Sequence, residues 1–357
     1  MLNKSTFYKR YLWFLWISFL PIILLSSELK YKKTLELYIS SIGKDSNSGL
    51  SKKEAIYSMK KAESIVRKKL SKKQSNVIIH IDSGVYKKQR TIWNFTMEDN
   101  NITFLGNKTN KPIFDGQGIN ATWLRVNYNN HHTKTNIHVE NIHVKNYARA
   151  IFLHGSKKNK SKKADNNVVK NCMFKNIGDK YSSSKVGYAA ISVMNSSFNV
   201  FENNKFINIE NNKTMCRTKK NKKKCFNTDT LIHAFYFVYG SSFNHIKNNL
   251  FQNISGDAIK TRASANFNTV EHNTFKNIRR MYQDWYAHYV NVINEDIIEC
   301  KSWGNTFFDN TIGSTYDKKT KAQRMDLKTK FYKNSGQEQY CNNQKIESNI
   351  SRVYQGN

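Results

Sequence analysis

The sequence predicts an all-β solenoid, a single-stranded right-handed parallel β-helix with a capping helix near its N-terminus. The first observation is an internal repeat of eleven residues, with Asn at the first and tenth places, Phe at the eighth and Ile at the last. Recurrence of this kind is typical of stacked structural units. The repeat occurs four times, as NVVKNCMFKNI (167–177), NVFENNKFINI (199–209), NHIKNNLFQNI (244–254) and NTVEHNTFKNI (268–278).

The second observation is a strand-like segment before each repeat, in which apolar residues stand at alternate positions. A strand, a turn of small residues, a second strand and an Asn-rich turn then make one coil. Phe251 and Phe275 lie 24 residues apart, about one coil, whereas the longer gap after Phe206 predicts an insertion. The four segments begin at Ala150, Ala190, Ala234 and Ala258.

The third observation is the column of Asn residues that stacked repeats create. Asn tolerates the left-handed backbone that tight turns need. Identical Asn side chains in stacked coils can also hydrogen-bond along the stack. We therefore interpret almost every repeated residue as structural and look for function at positions that break the repeat.

The first element along the chain is a targeting segment. Lys4, Lys9 and Arg10 precede an apolar run over residues 11–25. A run of about 15 residues has the length of a signal-peptide core and is short for a membrane-spanning helix. We expect a signal peptide or signal anchor over residues 1–27, and hence a secreted or cell-surface protein that touches the membrane only if this segment stays uncleaved.

The remaining elements follow in order. Ser51 and Glu54 form a capping-box pattern that predicts a helix reaching Leu70. Such a helix would cover the open end of the solenoid. The β-helix domain is predicted over residues 35–315, with a degenerate last coil through 289–292 and 303–307. Residues 316–357 are predicted to form a charged tail or cap.

The five cysteines fit an exported chain only loosely. Cys216 and Cys225 flank a lysine-rich stretch and are expected to close a surface loop, and Cys300 and Cys341 are expected to tether the C-terminal segment. Spacing alone does not fix these pairings. Cys172 stands where the other three repeats have Asn, which predicts a free thiol packed in a turn. Neither a CxxC motif nor a His/Cys set indicates zinc.

The net charge is +32, from 58 Lys and Arg against 26 Asp and Glu. Lysines cluster at 157–163, 213–224 and 318–330, outside the repeats. Two interpretations stay open, namely attraction to an acidic polysaccharide or solvated loops in a lysine-rich chain. No nucleic-acid partner is expected, because no nucleic-acid-binding motif is present. We expect a monomer.

Several segments resemble a known superfamily. The opening YISSIGKDSNSGLS and the later IIHIDSGVY are similar to the start of secreted right-handed parallel β-helix proteins of the pectin-lyase-like superfamily. LIHAFYFVYGSSFN, SGDAIKTRASANFNTVEHNTF, DWY and ECKSWGNTFFDNTIG resemble a group of exported bacterial β-helix proteins within it. The resemblance covers residues 35–315 and implies the fold. It does not imply one activity, because the fold carries lyases, hydrolases, epimerases and binding proteins.

The resemblance also implies a candidate chemistry. Lyases of this fold generally cleave acidic polysaccharides by β-elimination: a base removes the C5 proton of a uronate, and a metal ion or an arginine neutralises its carboxylate. DAIKTR (257–262) followed by NTF (273–275) is similar to the pattern of the chondroitinase-B and alginate-lyase family. That family has an Arg one coil later, where the predicted coil 289–292 has none. A calcium cofactor remains open.

The alternation of the strands identifies the candidate site. Tyr236, Lys260 and Asn291 are predicted to form an outward column flanked by Arg262, with coils about 4.8 Å apart. Such cationic and titratable groups suit the removal of a proton beside a carboxylate. Solvated strand residues are the structural alternative. At the strand edge, a second column is predicted from His233, Asp257 and His288. Further substrate contacts are expected from Ser192, His154, Arg280, Trp285 and Tyr286.

The expected function is therefore polysaccharide lysis. Lys260 or Arg262 would act as base or carboxylate neutraliser, and Tyr236 or His233 would donate the proton to the leaving oxygen. Hydrolysis is disfavoured because the outward face lacks the clustered carboxylates of glycosidases. A non-catalytic surface protein that binds polyanionic glycans and a purely structural solenoid remain as alternatives.

Overall fold

The structure confirms the predicted right-handed parallel β-helix. It is a computed structural model that describes residues 34–70, 75–219, 222–284, 290–291, 296–297, 300, 302–316, 323–326 and 351–355. Within these residues, 21 strands belong to one sheet system in which every pairing is parallel. Two short antiparallel strand pairs lie outside that system, Thr214–Lys219 with Lys222–Asn227 and Val290–Asn291 with Asp296–Ile297.

The described residues contain one α-helix, α1 (Met59–Leu70), and two single 3₁₀ turns, Asp179–Tyr181 and Asp229–Leu231. The strands of the first half are β1 (Leu35–Ile39), β2 (Val77–Ile81), β3 (Val85–Lys87), β4 (Thr91–Trp93), β5 (Ile102–Gly106), β6 (Ile113–Asn127), β7 (Ile137–Glu140), β8 (His143–His154), β9 (Val168–Lys170), β10 (Met173–Ile177), β11 (Ala189–Met194), β12 (Val200–Glu202) and β13 (Lys205–Ile209). Those of the second half are β14 (Thr214–Lys219), β15 (Lys222–Asn227), β16 (His233–Val238), β17 (His245–Lys247), β18 (Leu250–Arg262), β19 (Thr269–Glu271), β20 (Thr274–Asp284), β21 (Val290–Asn291), β22 (Asp296–Ile297), β23 (Thr306–Ile312), β24 (Gln323–Asp326) and β25 (Ser351–Gln355).

Each coil contributes one strand segment to each of three faces. Face 1 stacks β1, β2, β5, β7, β9, β12, β17 and β19. Face 2 stacks β3, the first part of β6 and of β8, β10, β13, and the first part of β18 and of β20. Face 3 stacks β4, the last part of β6 and of β8, β11, β16, and the last part of β18 and of β20.

The Phe column of the repeat fills the interior. Phe174, Phe206, Phe251 and Phe275 are fully buried, and successive rings stack at 5.1, 5.1 and 4.7 Å between centroids. Burying each such side chain stabilises the fold by about 1.5–3 kcal/mol. The repeated Phe is thus the continuous core of the solenoid.

The Asn columns divide into two kinds. The first-place residues, together with Asn305, are buried and form what we call the inner Asn ladder, in which each side-chain NH₂ donates to the next side-chain carbonyl at 2.6–2.9 Å. The tenth-place residues have left-handed backbone, with φ between 50 and 58°, and line half-buried turns. The ladder residues are Asn167, Asn199, Asn244, Asn268 and Asn305.

The predicted helix begins later than the capping-box pattern indicated. Glu54 N–H donates to Ser51 in a turn, and residues 49–56 instead bond the outer edge of β1, where Ile56 N–H donates to the Tyr38 carbonyl at 2.9 Å. Ser58 is the true N-cap, because its Oγ accepts from the backbone of Lys61. Hydrogen bonds from residues 49–56 to the open edge of β1 therefore take the place of the first predicted helical turn.

Beyond residue 315, parallel pairing continues in β24 and β25, which bond to β20 and β23. In the part of the chain that the structure describes, no helix is long and apolar enough to cross a bilayer. The apolar run 11–25 lies outside that part, so the signal segment stays a prediction.

Candidate functional site

The strand register of face 3 brings the predicted site residues together. One outward column contains Ser192, Tyr236, Lys260 and Gln283, and Arg262 stands beside it, two residues after Lys260. The inward neighbours, such as Phe235 and Ile259, are buried, so the predicted alternation of the strands is confirmed. A second column at the start of the strands contains Ala189, His233, Asp257 and Arg280.

The coil after Lys260 differs from the prediction. β20 runs without interruption from Thr274 to Asp284, so Gln283 and not Asn291 follows Lys260 in the column. Asn291 lies in β21, which pairs antiparallel with β22. The sequence already contained a signal for this strand. Met281 and Tyr282 repeat the apolar pair Ala258 and Ile259 after 23 residues, one fewer than the 24 that separate Phe251 from Phe275.

Because β20 continues to Asp284, Arg280 and not the predicted His288 follows Asp257 in the second column. The structure therefore does place an Arg on the coil after Asp257, where the predicted coil 289–292 offered none. Arg280 was expected to contact the substrate, whereas it is 8% exposed and its Nε donates to Asp257 Oδ1 at 2.6 Å. His288, Trp285 and Tyr286 lie outside the described residues.

Asp257 is the centre of a buried polar group. It is fully buried, and its Oδ2 lies 3.3 Å from His233 Nδ1 without hydrogen-bond alignment. Gly256 makes this approach possible, because a Cβ there would lie 1.9 Å from the Ile232 carbonyl oxygen. Burial raises the pKa of the Asp257 carboxyl although Arg280 and Lys260 oppose the shift.

His233 is neutral in this environment. It is 3% exposed, and burial, with the charges of Lys260 and Arg280, holds its pKa well below the ordinary value. A buried neutral imidazole beside Asp257 positions its neighbours and has no open path to a substrate oxygen. Of the two predicted proton donors, Tyr236 is the one that reaches the outer surface, where it is partly exposed.

Lys260, Tyr236 and Arg262 form the outer layer of the site. Arg262 Nη1 lies 3.5 Å from the Tyr236 hydroxyl oxygen. Burial lowers the pKa of the Lys260 ammonium, Arg280 and Arg262 add to this effect, and Asp257 opposes it. A lysine that loses its proton more readily than usual is suited to act as a base. Ser192, one coil earlier, is 6% exposed, and its Oγ has no partner among the described residues.

His154 lies at the other end of face 3, in a group that sequence reasoning missed. Arg125 Nη2 lies 2.7 Å from His154 Nδ1, and the guanidinium groups of Arg125 and Arg149 lie 5.4 and 4.7 Å from the centre of the Phe152 ring. Arg125 and Arg149 stand between the first coils and the first repeat, so the repeat alignment did not include them.

The described residues contain no group of three or more His, Cys, Asp or Glu side chains arranged to hold a metal ion. Asp284, which shares face 3, accepts hydrogen bonds from Thr261 Oγ1 and from the backbone N–H of Ser302. Calcium therefore has no carboxylate cluster to bind in this part of the chain.

The lysine-rich insertion is a hairpin of β14 and β15. Cys216 and Cys225 face each other across it and form a disulfide. Cys300 is also disulfide-bonded, and Cys341 lies outside the described residues. Cys172 is a free, buried thiol whose pKa burial raises to about 12.

No family model matches the sequence, and no curated protein matches it either. Solved structures with similarity include the catalytic domain of an α-1,3-glucanase in complex with nigerose (13% identity, 72% of this chain, TM-score 0.44). An alginate lyase from Paenibacillus sp. is also similar (11% identity, 82% of this chain and 97% of that chain, TM-score 0.42). So is a tailspike protein of an E. coli bacteriophage in complex with a pentasaccharide (8% identity, 77% of this chain and 50% of that chain, TM-score 0.44). This chain spans 38% of the glucanase chain. Any activity has to be argued from the site itself.

Proposed function

We propose that the protein is an exported, carbohydrate-active enzyme, a lyase that cleaves a uronate-containing polysaccharide by β-elimination. The observation that carries the proposal is the outer layer of face 3, where Tyr236, Lys260 and Arg262 stand on adjacent coils above the buried Asp257–Arg280 pair. This set combines a base, a fixed cation and a hydroxyl donor within one patch.

The chemistry assigns one role to each group. Lys260 Nζ, neutral in the reactive form, takes the C5 proton of the uronate, while Arg262 stabilises the carboxylate on which negative charge develops. The electron pair of the C5–H bond forms the C4–C5 double bond, and the C4–O4 bond breaks. The Tyr236 hydroxyl gives its proton to O4. Asp257 and Arg280 act through Lys260, because the Asp257 carboxylate attracts the ammonium group and the Arg280 guanidinium repels it.

Hydrolysis fits this face poorly. Glycosidases need two carboxyl groups that reach the scissile bond. From β4 to β20, the described strands of face 3 carry two carboxylates, Asp257 and Asp284, and both are buried and already bonded to Arg280 and to Thr261. Lysis needs no carboxylate at the reacting atoms.

Two observations support export. The N-terminal cationic and apolar run has signal-peptide proportions. The Cys216–Cys225 disulfide closes an exposed hairpin, and such bonds persist in oxidising compartments.

The test is lysis of a polysaccharide panel that contains alginate, polygalacturonate, chondroitin sulfate and heparin, followed by ultraviolet absorbance of the unsaturated product. We expect activity on at least one polymer and a loss of about 10³-fold or more in Lys260→Met, because a general base contributes about 10²–10⁴-fold. Lys205→Met is the matched control, since Lys205 is an exposed lysine on face 2. No product from any polymer, or equal loss in both variants, would overturn the proposal.

The pH profile gives a second test. Because Lys260 acts as its neutral form and its pKa is lowered, activity should rise with pH and reach half its maximum below the ordinary lysine value of 10.5. Arg262→Gln removes one repelling cation, so the midpoint should move to higher pH.

A non-catalytic polyanion-binding function is the second candidate, and the hairpin favours it. Residues 213–227 contain seven Lys or Arg and no Asp or Glu, and Lys222, Lys223 and Lys224 are exposed. Replacing these three lysines by Gln should weaken salt-sensitive binding to heparin. If binding falls in that variant, lysis is absent and Lys260→Met binds normally, this second function replaces the first.

A further inference from the structure

A cleft of about 530 Å³ opens at the N-terminal end of face 3. Its central cation is Arg125, which shares the outward column with Phe152, Ser192, Tyr236 and Lys260. Four coil-to-coil steps at about 4.8 Å place Arg125 roughly 19 Å from Lys260 along the helix axis. The lining includes Arg67, Asn94, Arg125, Asn127, Tyr128 and His154.

Arg125 is fixed in place by neutral groups. Its Nε donates to Asn127 Oδ1 at 2.7 Å, and its Nη2 lies 2.7 Å from His154 Nδ1. Burial, and next the charge of Arg125, lowers the pKa of His154 to about 4, so the ring is neutral near pH 7 and can accept that hydrogen bond. No described carboxylate lies within 4.0 Å of the guanidinium.

Arg149 does not line the cleft, but its guanidinium stacks on the same Phe152 ring as that of Arg125, and no described carboxylate forms an ion pair with it. Its Nε is buried and has no hydrogen-bond partner in the described part of the chain. Burial, and next the charge of Arg125, lowers its pKa to about 10. A buried guanidinium that lacks a carboxylate carries an uncompensated desolvation cost. An anion bound nearby would offset that cost for both arginines.

We propose that this cleft is a second glycan subsite, in which Arg125 binds a carboxylate or sulfate of an acidic chain that lies along face 3 and reaches Lys260. The inference rests on the proposed function for its substrate class. The planar guanidinium suits both anions, since it donates two parallel hydrogen bonds. The amides of Asn94 and Asn127 and the ring of Tyr128 supply donors and an apolar surface for the sugar.

Binding to immobilised alginate, polygalacturonate, heparin and neutral dextran tests the subsite, with all proteins in a Lys260→Met background so that no polymer is cut. Arg125→Gln removes the cation. Asn127→Asp keeps Arg125 and places a carboxylate on its Nε, so the chain's own anion competes with the ligand. We expect each to weaken binding to at least one acidic polymer about tenfold, the value of one lost charge-assisted hydrogen-bond pair. Lys205→Gln, the matched control on face 2, should change binding less than about twofold.

The outcomes separate the subsite from the lyase. If the cleft variants lose binding to heparin alone, the ligand of Arg125 is a sulfate. If they lose binding to alginate or polygalacturonate, the ligand is a carboxylate. If no polymer is lysed but both cleft variants bind weakly, the subsite stands and the lyase proposal fails. If lysis occurs but both variants bind like Lys205→Gln, the subsite is overturned. Equal binding to dextran, or no binding by the parent protein, overturns it too. Asn127→Asp, which is nearly isosteric, keeps the test valid if Arg125→Gln does not fold.

Discussion

The inner Asn ladder and face 3 both carry polar side chains along the stack of coils, but the hydrogen bonding of these side chains differs. In the ladder, Asn199 and Asn244 are fully or almost fully buried, and each amide bonds an identical amide in the next coil. On face 3 every coil has a different residue. Buried polar atoms there remain without a partner among the described residues, among them Ser192 Oγ and Asp257 Oδ2.

This difference in hydrogen bonding distinguishes the side chains that stabilise the stack from those to which we assign a function. Buried polar groups that are hydrogen-bonded stabilise and specify the stack. Buried polar groups without partners cost about 1–3 kcal/mol each, and on face 3 they stand beside Tyr236 and Lys260, to which we assign the proposed chemistry. Substitutions in the two regions should therefore affect stability and activity in different proportions.

The largest expected effect lies at the buried start of the face 3 strands. Asp257→Ala should lower the free energy of unfolding by about 4 kcal/mol, because it leaves Arg280 buried without its carboxylate. Urea denaturation measures the loss. Asp257→Leu combined with Arg280→Met should recover most of it, since removing both charges removes the unpaired one. A loss under about 1 kcal/mol in Asp257→Ala would show that the pair does not support face 3.

The ladder itself should be nearly as sensitive. Asn244→Ala removes the acceptor of the Asn199 backbone N–H, at 3.1 Å, and of its side-chain NH₂, at 2.6 Å. With two buried donors left unpaired, we expect a loss of about 3 kcal/mol and unchanged lysis per folded molecule. Asn208→Ala is the control. The Asn208 amide also bonds Asn176 and Asn253, but in a half-buried turn where water can replace the lost partner, so with a φ of 57° the substitution should cost about 1 kcal/mol. Equal costs would contradict the division of the Asn columns.

A second buried Asn ladder, formed by the sixth-place residues of the repeat, can be extended. Cys172 occupies the sixth place of the repeat, where Asn204 and Asn249 form a second buried ladder, and its backbone N–H already donates to Asn204 Oδ1 at 3.0 Å. Cys172→Asn should add a side-chain bond to Asn204 and raise stability by about 1 kcal/mol, seen as a higher melting temperature. Cys172→Ala, which keeps the backbone bond alone, should not. If Cys172→Asn destabilises the protein, the ladder depends on more than residue identity.

Regular parts of the molecule were predictable from the sequence, and irregular parts were not. The repeat placed Phe251 and Phe275 in one column, and the alternation of strands placed Lys260 and Arg262 outward, as the structure has them. β20 continues without a break to Asp284, so Gln283 and not Asn291 follows Lys260. A one-residue register shift between Ile254 and Asp257 then pairs Asp257 with Arg280 rather than with Met281. One bulge of this kind shifts every later side chain, and no periodicity reports it.

The same limit explains the omission of Arg125 and Arg149. They precede the first clear repeat, so no alignment of coils set their register with Lys260. Only the parallel pairing of β6, β8 and β11 shows that Arg125 belongs to the Lys260 column. Face 3 therefore extends beyond the four repeats. Arg125 and Arg149 lie towards one end of it, and Tyr236, Lys260 and Arg262 lie towards the other.

The smallest expected effect is a change in the pKa of His154, which lies in the cleft at the N-terminal end of face 3. His154 has a pKa of about 4, below its ordinary value of 6.5, because it is partly buried beside Arg125 and Arg149. Its neutral form therefore contributes stability above pH 6.5 that is lost as the pH falls through 4. An anion in the cleft offsets both arginines, so binding of an acidic oligosaccharide should raise this pKa by about half a unit, a shift reduced by solvent screening in the open cleft. Nuclear magnetic resonance titration of the ring measures it, with partly exposed His245 on face 1 as an internal control. A shift at His154 without one at His245 places the anion beside Arg125, whereas equal shifts would mean that the ligand acts only through the net charge of the protein.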